Sequence, residues 1–206
     1  MMNKTRKTLV MAFVLALQCL AIGWLIVRYE RVVRLGAEVR FACKAYDPYD
    51  PLRGRYLSMS VSETTTNFPV SVTNDLDRSR NKFVVRLEPS TNGLWRIAEA
   101  AFAPTGEGVW VKPRSSCAQH RLGWSEQGKD EEWSDFKKRR ERSGVVVSAT
   151  FPNQLFVNEK LAPAAEGLLR KKTDAAVAVY RVFKGEMVLT GIEIEGRPIL
   201  EQVARE

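Results

Sequence analysis

An uninterrupted apolar run at residues 8–27 constrains this chain more than any other feature. Only three of its 20 residues fall outside the apolar set, and no acidic residue precedes Glu30. A helix of this length spans roughly 30 Å, which is the thickness of the bilayer hydrocarbon. Trp24 near its end, followed by Arg28, has the position of an interfacial anchor. The run therefore predicts a transmembrane helix.

Two kinds of processing are alternatives to an uncleaved anchor. A secretory signal peptide has a shorter apolar core of about 7–15 residues and small residues at its cleavage site, whereas bulky Leu25, Ile26 and Val27 end this run. A lipoprotein needs a small residue before its lipidated cysteine, but Gln18 precedes Cys19. We therefore expect an uncleaved, single-pass signal-anchor.

The layout of the chain, more than its charge, indicates the orientation of this anchor. Basic residues stand on both sides of the run, so the positive-inside rule is nearly balanced. We expect residues 1–35 to comprise a cytoplasmic head, the span 8–27 and a juxtamembrane helix, and residues 36–206 to form one exported domain. The predicted location is the bacterial inner (cytoplasmic) membrane, with the domain on its periplasmic or extracytoplasmic side.

The charge of the remaining chain argues against one class of partner. Of 32 basic and 24 acidic residues, net +8, residues 1–27 contain three basic and no acidic ones. Residues 28–206 thus hold 29 basic and 24 acidic residues, net +5. This mild excess is not interleaved with aromatic residues as in single-stranded nucleic-acid platforms. We expect no nucleic acid partner, and attraction to an anionic membrane surface is a simpler use of the charge.

Residues that could carry chemistry are few. A single histidine, His120, has no recognisable nucleophile or orienting group around it in the sequence. The carboxylate pair Asp47 and Asp50 stands in Asp-Pro turns, where aspartate commonly bonds its own backbone. The basic residues of 137–142 follow acidic residues and have the pattern of a solvated helix end. We predict no catalytic residue, no metal site and no cofactor.

Cys43 and Cys117 allow two interpretations. In an exported domain they could form a disulfide, whose long loop would contribute about 4 kcal/mol in the chain-entropy model. They could equally be two unpaired small apolar residues, since Cys43 alternates with Phe41 and Ala45 in a strand-like run. Spacing alone does not show proximity, so both interpretations stay open.

Alternation of apolar and polar residues predicts a mainly-β (α+β) domain with one or two short helices. We expect residues 63–77 to form a connecting loop, in which 70–72 could be a short strand. We also expect residues 113–143 to interrupt the strands, and Asp135 to pair with Arg139 on a helix. The predicted strands are 38–45, 56–62, 82–88, 94–102, 109–112, 144–151, 175–183 and 187–195, and the predicted helical pieces are 130–142, 154–160 and 162–172.

The stretch DPYDPLRGRYLSMSV at residues 47–61 resembles the signature region of the GDYXXLXY protein family. Asp47, Asp50 and Arg53 match the lead-in D-P-x-D-x-x-R of that family. Gly54 matches the first position of the motif itself, and physically it allows the backbone to leave the Asp-Pro turn.

The rest of the motif is partly kept. Tyr56 matches the family's tyrosine, and Met59 is a conservative replacement for its leucine. Arg55 stands in place of the family's aspartate and Val61 in place of its last tyrosine. The loss of the aspartate argues against an obligatory catalytic carboxylate at that position. Segments 83–95, 151–157 and 175–194 are also similar to the family in their residue patterns and in their order along the chain.

The resemblance implies a membrane-anchored bacterial protein without an established activity, encoded beside polytopic membrane proteins. Our leading hypothesis is a non-enzymatic accessory protein that contacts the lipid bilayer through residues 8–27 and binds a polytopic membrane partner. The alternative is an exported, hydrolase-like enzyme that uses the turn at residues 47–56. A polar pocket at residues 54–56 would favour the enzyme, and a flat apolar patch would favour binding.

Overall fold

One long N-terminal helix leads into a strand-rich domain, which confirms the predicted fold class. The computed structural model describes residues 4–45, 56–61, 65–68, 83–120, 122–123, 126–128, 131–143 and 145–204. Within these ranges the helices are α1 (Lys4–Leu35), α2 (Trp133–Arg142), α3 (Ala162–Lys171) and α4 (Ile199–Val203), with a 3₁₀ turn at Thr173–Ala175.

The strands of the described ranges are β1 (Ala37–Ala45), β2 (Tyr56–Val61), β3 (Thr65–Phe68), β4 (Val84–Pro89), β5 (Trp95–Ala101), β6 (Val109–Val111), β7 (Ser115–His120), β8 (Val145–Thr150), β9 (Gln154–Phe156), β10 (Ala176–Phe183), β11 (Glu186–Ile194) and β12 (Arg197–Pro198). In this part of the chain a six-stranded sheet has the order β12-β11-β10-β1-β2-β9, and two three-stranded sheets have the orders β3-β8-β7 and β5-β4-β6.

The six-stranded sheet curls until its β9 end contacts β11. The Tyr180 hydroxyl on β10 donates a 2.7 Å hydrogen bond to the carbonyl of Pro152, just before β9. The Met59 amide on β2 donates to the carbonyl of Asn153 at 3.1 Å. These two bonds hold the segment before β9 against the sheet, so the sheet encloses one side of the core.

Alternate residues of β1 point into the core, as their period-two pattern predicts. Val39, Phe41 and Cys43 are buried. The Phe41 ring stacks on Phe151 with centroids 5.3 Å apart and meets the Tyr180 ring edge-on at 5.9 Å. Aromatic packing at this point joins the middle of the six-stranded sheet to the end of β8.

Gly36 connects the N-terminal helix directly to the central sheet. Its amide donates to the carbonyl of Val32 at 3.0 Å, and the next residue, Ala37, already pairs with Val182 of β10. A Cβ at Gly36 would lie 2.3 Å from the Val32 carbonyl oxygen and 2.9 Å from the Val182 amide nitrogen. Glycine is needed here because two backbone segments approach it closely.

Three predictions about local structure are wrong. Residues 154–160 are not helical, because residues 154–156 pair with Tyr56, Leu57 and Ser58 of β2 as strand β9. Residues 63–77 were expected to form a loop, but residues 65–68 form β3 against β8. The interruption expected at residues 113–143 includes β7, which pairs along the other edge of β8.

The predicted ion pair between Asp135 and Arg139 is also wrong. The Arg139 guanidinium instead makes two hydrogen bonds to the Glu131 carboxylate, at 2.9 and 2.7 Å. The Asp135 carboxylate lies 3.5 Å from the Lys138 ammonium. The bidentate geometry of Arg139 explains the preference. The bond from Arg139 lowers the pKa of Glu131.

Candidate functional site

Helix α1 extends away from the domain. Every side chain described between residues 11 and 31 is exposed, although most of these residues are apolar. A soluble surface does not leave so large an apolar area uncovered. Within the described residues, α1 is the one helix long and apolar enough to span a membrane.

The end of α1 packs on the β10–β11 hairpin and forms a cleft of about 200 Å³. Residues of one helical stripe, at i, i+3, i+4, i+7 and i+8, make one wall. We call this space the junction cleft; its helix wall is Trp24, Val27, Arg28, Arg31 and Val32. The hairpin supplies its other wall, which is Phe183, Lys184 and Glu186.

The turn of this hairpin uses an unusual residue. Lys184 has a φ of 50° and Gly185 a φ of 83°, the left-handed pair that a tight two-residue hairpin turn requires. Asparagine or glycine commonly fills the first position, and a lysine there carries backbone strain of about 1–2 kcal/mol. The turn also contacts the β5-β4-β6 sheet, because the amide of Lys112, directly after β6, donates to the Gly185 carbonyl at 2.8 Å.

One of the cations in the junction cleft is neutralised. The Arg28 guanidinium forms a two-pronged ion pair with the Glu186 carboxylate, with Nε 2.9 Å from Oε2. Arg31 and Lys184 have no ion pair within the described part of the chain, and the Lys184 ammonium lies 5.5 Å from the centroid of the Phe183 ring. The cleft therefore presents a net charge of +2.

A second cleft, of about 410 Å³, lies beside the first half of β11. We call it the sheet cleft; it is lined by Tyr29, Lys112, Arg114, Pro152, strand β9 and residues 187–189. Tyr29 is only two residues beyond the apolar run, about 3 Å further along the helix axis. The sheet cleft is thus adjacent to the junction between the helix and the domain.

The sheet cleft combines an exposed aromatic residue with positive charge. The Phe156 side chain at its rim is 72% exposed, and Leu189 in its wall is buried. Lys112 and Arg114 add two cations, and neither has an ion pair with another described residue. An apolar side chain beside two cations can bind an apolar segment that also carries carboxylates.

Three residues of the predicted motif lie on β2, the strand that pairs with β9 of this cleft. Met59 and Val61 of β2 are buried in the core. Tyr56 pairs directly with Phe156 of β9, with ring centroids 6.1 Å apart. The motif strand thereby positions the exposed aromatic residue. The remaining predicted motif residues, Asp47, Asp50, Arg53, Gly54 and Arg55, lie outside the described residues.

The structure contains Cys43 as a free, buried thiol. The disulfide with Cys117 that the sequence allowed is therefore not formed in it. Cys43 lies on β1 opposite Val61 of the six-stranded sheet, and Cys117 lies on β7 opposite Ser148 of another sheet. Burial raises the pKa of the Cys43 thiol to about 12.

Among the residues that the structure describes, no three histidine, cysteine, aspartate or glutamate side chains are grouped closely enough to hold a metal ion. His120 lies on β7 opposite Val145, and its side chain is outside the described part. The polar pocket that would have favoured an enzyme was expected at residues 54–56, of which only Tyr56 is described. The two clefts instead join residues far apart in the sequence, and no local pattern indicated them.

Comparisons with known proteins are consistent with the motif. The family model described as GDYXXLXY protein matches residues 18–192, which is most of the chain. This range includes the end of the apolar run, the motif strand β2 and both walls of each cleft. Neither a curated protein nor a solved structure matches the chain.

Proposed function

The chain belongs to the GDYXXLXY protein family, whose description states no activity, and on the geometry of its clefts we propose that it is a membrane-anchored, non-enzymatic accessory protein. In this proposal α1 is a single-pass anchor, and the sheet cleft binds a polytopic membrane protein beside it. The observation that carries the proposal is the position of the sheet cleft next to Tyr29, just beyond the apolar run.

The chemistry of the sheet cleft defines the segment that it would bind. Phe156 offers an exposed aromatic anchor, and such residues dominate the binding energy of many interfaces. Lys112 and Arg114 favour an acidic partner by charge complementarity. We therefore propose an apolar and acidic loop of the partner that leaves the bilayer close to α1.

We further propose that the anchor lies in the bacterial inner membrane and that the domain is extracytoplasmic. The signal-anchor layout supports this orientation, because long folded segments after such an anchor translocate largely regardless of their charge. A cysteine introduced at exposed Lys171 should then react with an impermeant maleimide in cells whose outer membrane is permeabilised. The parent chain measures the background from its own cysteines, and labelling only after lysis would contradict the orientation.

A photo-crosslinking residue tests the binding function in the native membrane. We expect benzoylphenylalanine in place of Phe156 of the full-length chain to form an adduct with one polytopic membrane protein. The same residue in place of Trp133, another exposed aromatic residue but on α2 outside the cleft, is the matched control and should not form that adduct. Adducts of equal yield at both positions would contradict the proposal.

Charge reversal then tests the chemistry of the same contact. Lys112→Glu combined with Arg114→Glu should abolish the adduct from position 156, since both reversed charges would repel an acidic segment. Lys171→Glu reverses an exposed charge on α3 and should leave the adduct unchanged. Thermal unfolding of each variant checks that the domain remains folded. A Phe156 adduct that survives the double reversal would refute the acidic partner.

A further inference from the structure

We infer that the junction cleft binds the headgroup of an anionic phospholipid from the surrounding bilayer. This inference rests on the membrane anchoring proposed above, because only an inserted α1 brings the cleft to the lipid. The class of ligand follows from three properties of the cleft: its depth, its charge and its size.

The depth of the cleft corresponds to the headgroup layer. Trp24 lies one helical turn before the end of the apolar run, where tryptophan marks the boundary between hydrocarbon and headgroups. Arg28 and Arg31 follow it on the same stripe of α1 and face the hairpin turn at Lys184. The hairpin turn therefore lies at the level of lipid phosphates when the run spans the bilayer.

The charge of the cleft is not balanced by the protein itself. Glu186 is fully engaged by Arg28, which removes both from the net charge. Arg31 and Lys184 have no ion pair with any described residue, although they stand on opposite walls of one cleft. Two cations that converge from a helix and a hairpin form a suitable site for one phosphate group.

The size and lining of the cleft favour part of a lipid over a free metabolite. Its volume of about 200 Å³ is below the ~300–1,000 Å³ of pockets that enclose drug-sized ligands. Trp24 and Val27 make its membrane side apolar and remain exposed, so an acyl chain can continue along them into the hydrocarbon. A phosphate without an acyl chain would leave this apolar side unused.

The strained backbone of Lys184 is an independent observation at the same place. Its φ of 50° is one that asparagine or glycine adopts more easily. Residues held in such conformations cluster at binding sites, where the side chain matters more than the local backbone preference. The strain also provides a useful variant, because Lys184→Asn removes the charge while relieving the backbone.

Quenching of Trp24 fluorescence by brominated lipid tests this site in the full-length chain. The protein is reconstituted in phosphatidylcholine bilayers that contain a small fraction of brominated phosphatidylglycerol or, for comparison, brominated phosphatidylcholine. The signal of Trp24 is the difference from the Trp24→Phe variant. We expect quenching at a clearly lower mole fraction of the anionic lipid than of the zwitterionic lipid.

Substitutions of the two free cations should reduce this preference. We measure the preference as the ratio of the mole fractions of zwitterionic and anionic lipid that give equal quenching. Arg31→Gln and Lys184→Asn should each lower this ratio about fivefold, the factor that corresponds to one cation at a membrane surface. Arg34→Gln also removes one positive charge, one turn further along α1 and outside the cleft, from an arginine that is paired with Glu30 at 3.0 Å; it should leave the preference unchanged. Lys184→Asn should also unfold at the same or a higher temperature than the parent, which separates loss of binding from loss of structure.

Several outcomes would overturn the inference. An equal loss with Arg34→Gln would show diffuse electrostatic attraction, and a preference unaffected by Arg31→Gln and Lys184→Asn would place the lipid elsewhere. Competition by excess inorganic phosphate would identify a free anion as the ligand. A chain that resists carbonate extraction yet shows no lipid preference refutes only this site. A chain that does not insert refutes the anchor, and with it both proposals.

Discussion

Replacing Gly36 by alanine should uncouple helix α1 from the domain that follows it. The new Cβ would lie 2.3 Å from the Val32 carbonyl oxygen and 2.9 Å from the Val182 amide nitrogen. Both atoms belong to backbone that is already constrained, one by the end of α1 and one by pairing with Ala37. Neither can move without breaking a contact, so either the helix end or the β1–β10 pairing must open.

The magnitude follows from what is lost. If the helix end moves alone, the 3.0 Å hydrogen bond from the Gly36 amide to Val32 breaks, at a cost of about 1 kcal/mol. If Val32 leaves its site, where it is only 2% exposed, burial worth a further ~1.5–3 kcal/mol is lost. The free energy of unfolding should therefore fall by about 1–4 kcal/mol.

Thermal unfolding of the full-length protein in detergent measures this effect. For a domain of this size each kcal/mol lowers the midpoint by about 2–4 °C, so we expect a fall of about 2–16 °C. Gly167→Ala is the matched control, because no atom lies within 4 Å of its Cβ position and alanine is favoured over glycine in a helix by about 0.8–1 kcal/mol. A Gly36→Ala midpoint equal to that of the parent would refute the argument from close approach.

Three further predictions concern the core and the anchor. The Cys43 thiol should react slowly with maleimide in the folded protein, with or without reductant, and fast after unfolding. The pKa of this thiol is about 12 when folded and near 9.0 when unfolded, so the free energy of unfolding should fall as pH rises between these values. The fall should be less steep in Cys43→Ala, and an equal slope of stability against pH in the two proteins would contradict the burial. Tyr180→Phe leaves the Pro152 carbonyl without its donor and should cost about 1–3 kcal/mol, measured by denaturant unfolding. Full-length protein should stay with membranes in alkaline carbonate, whereas deletion of residues 1–27 should release the domain; full-length protein in the soluble fraction would contradict the anchor.

The local pattern of the sequence was sufficient to predict the long apolar helix and the strands that bury one face. The apolar run predicts α1, the alternation through Phe41 and Cys43 predicts β1, and the patterns at 175–183 and 187–195 predict β10 and β11, because helix and strand periodicity are local properties. The same holds for the motif strand, in which Met59 and Val61 are buried as their spacing predicts. The family resemblance likewise rested on contiguous residues.

Only the tertiary structure decided the short strands and the clefts. Residues 154–156 are a strand because β2 offers them an edge, and the Ser-Ser-Cys-Ala-Gln-His run of β7 is one because β8 does. Nothing local distinguishes such segments from helix or loop, since their hydrogen-bond partners are remote in sequence. The clefts have the same origin: Tyr29, Lys112 and Phe156 meet because the sheet curls, and Arg31 meets Lys184 because Gly36 lets the helix turn directly into β1. Chain segments that are distant in sequence must come together before such sites exist, and periodicity carries no information about that step.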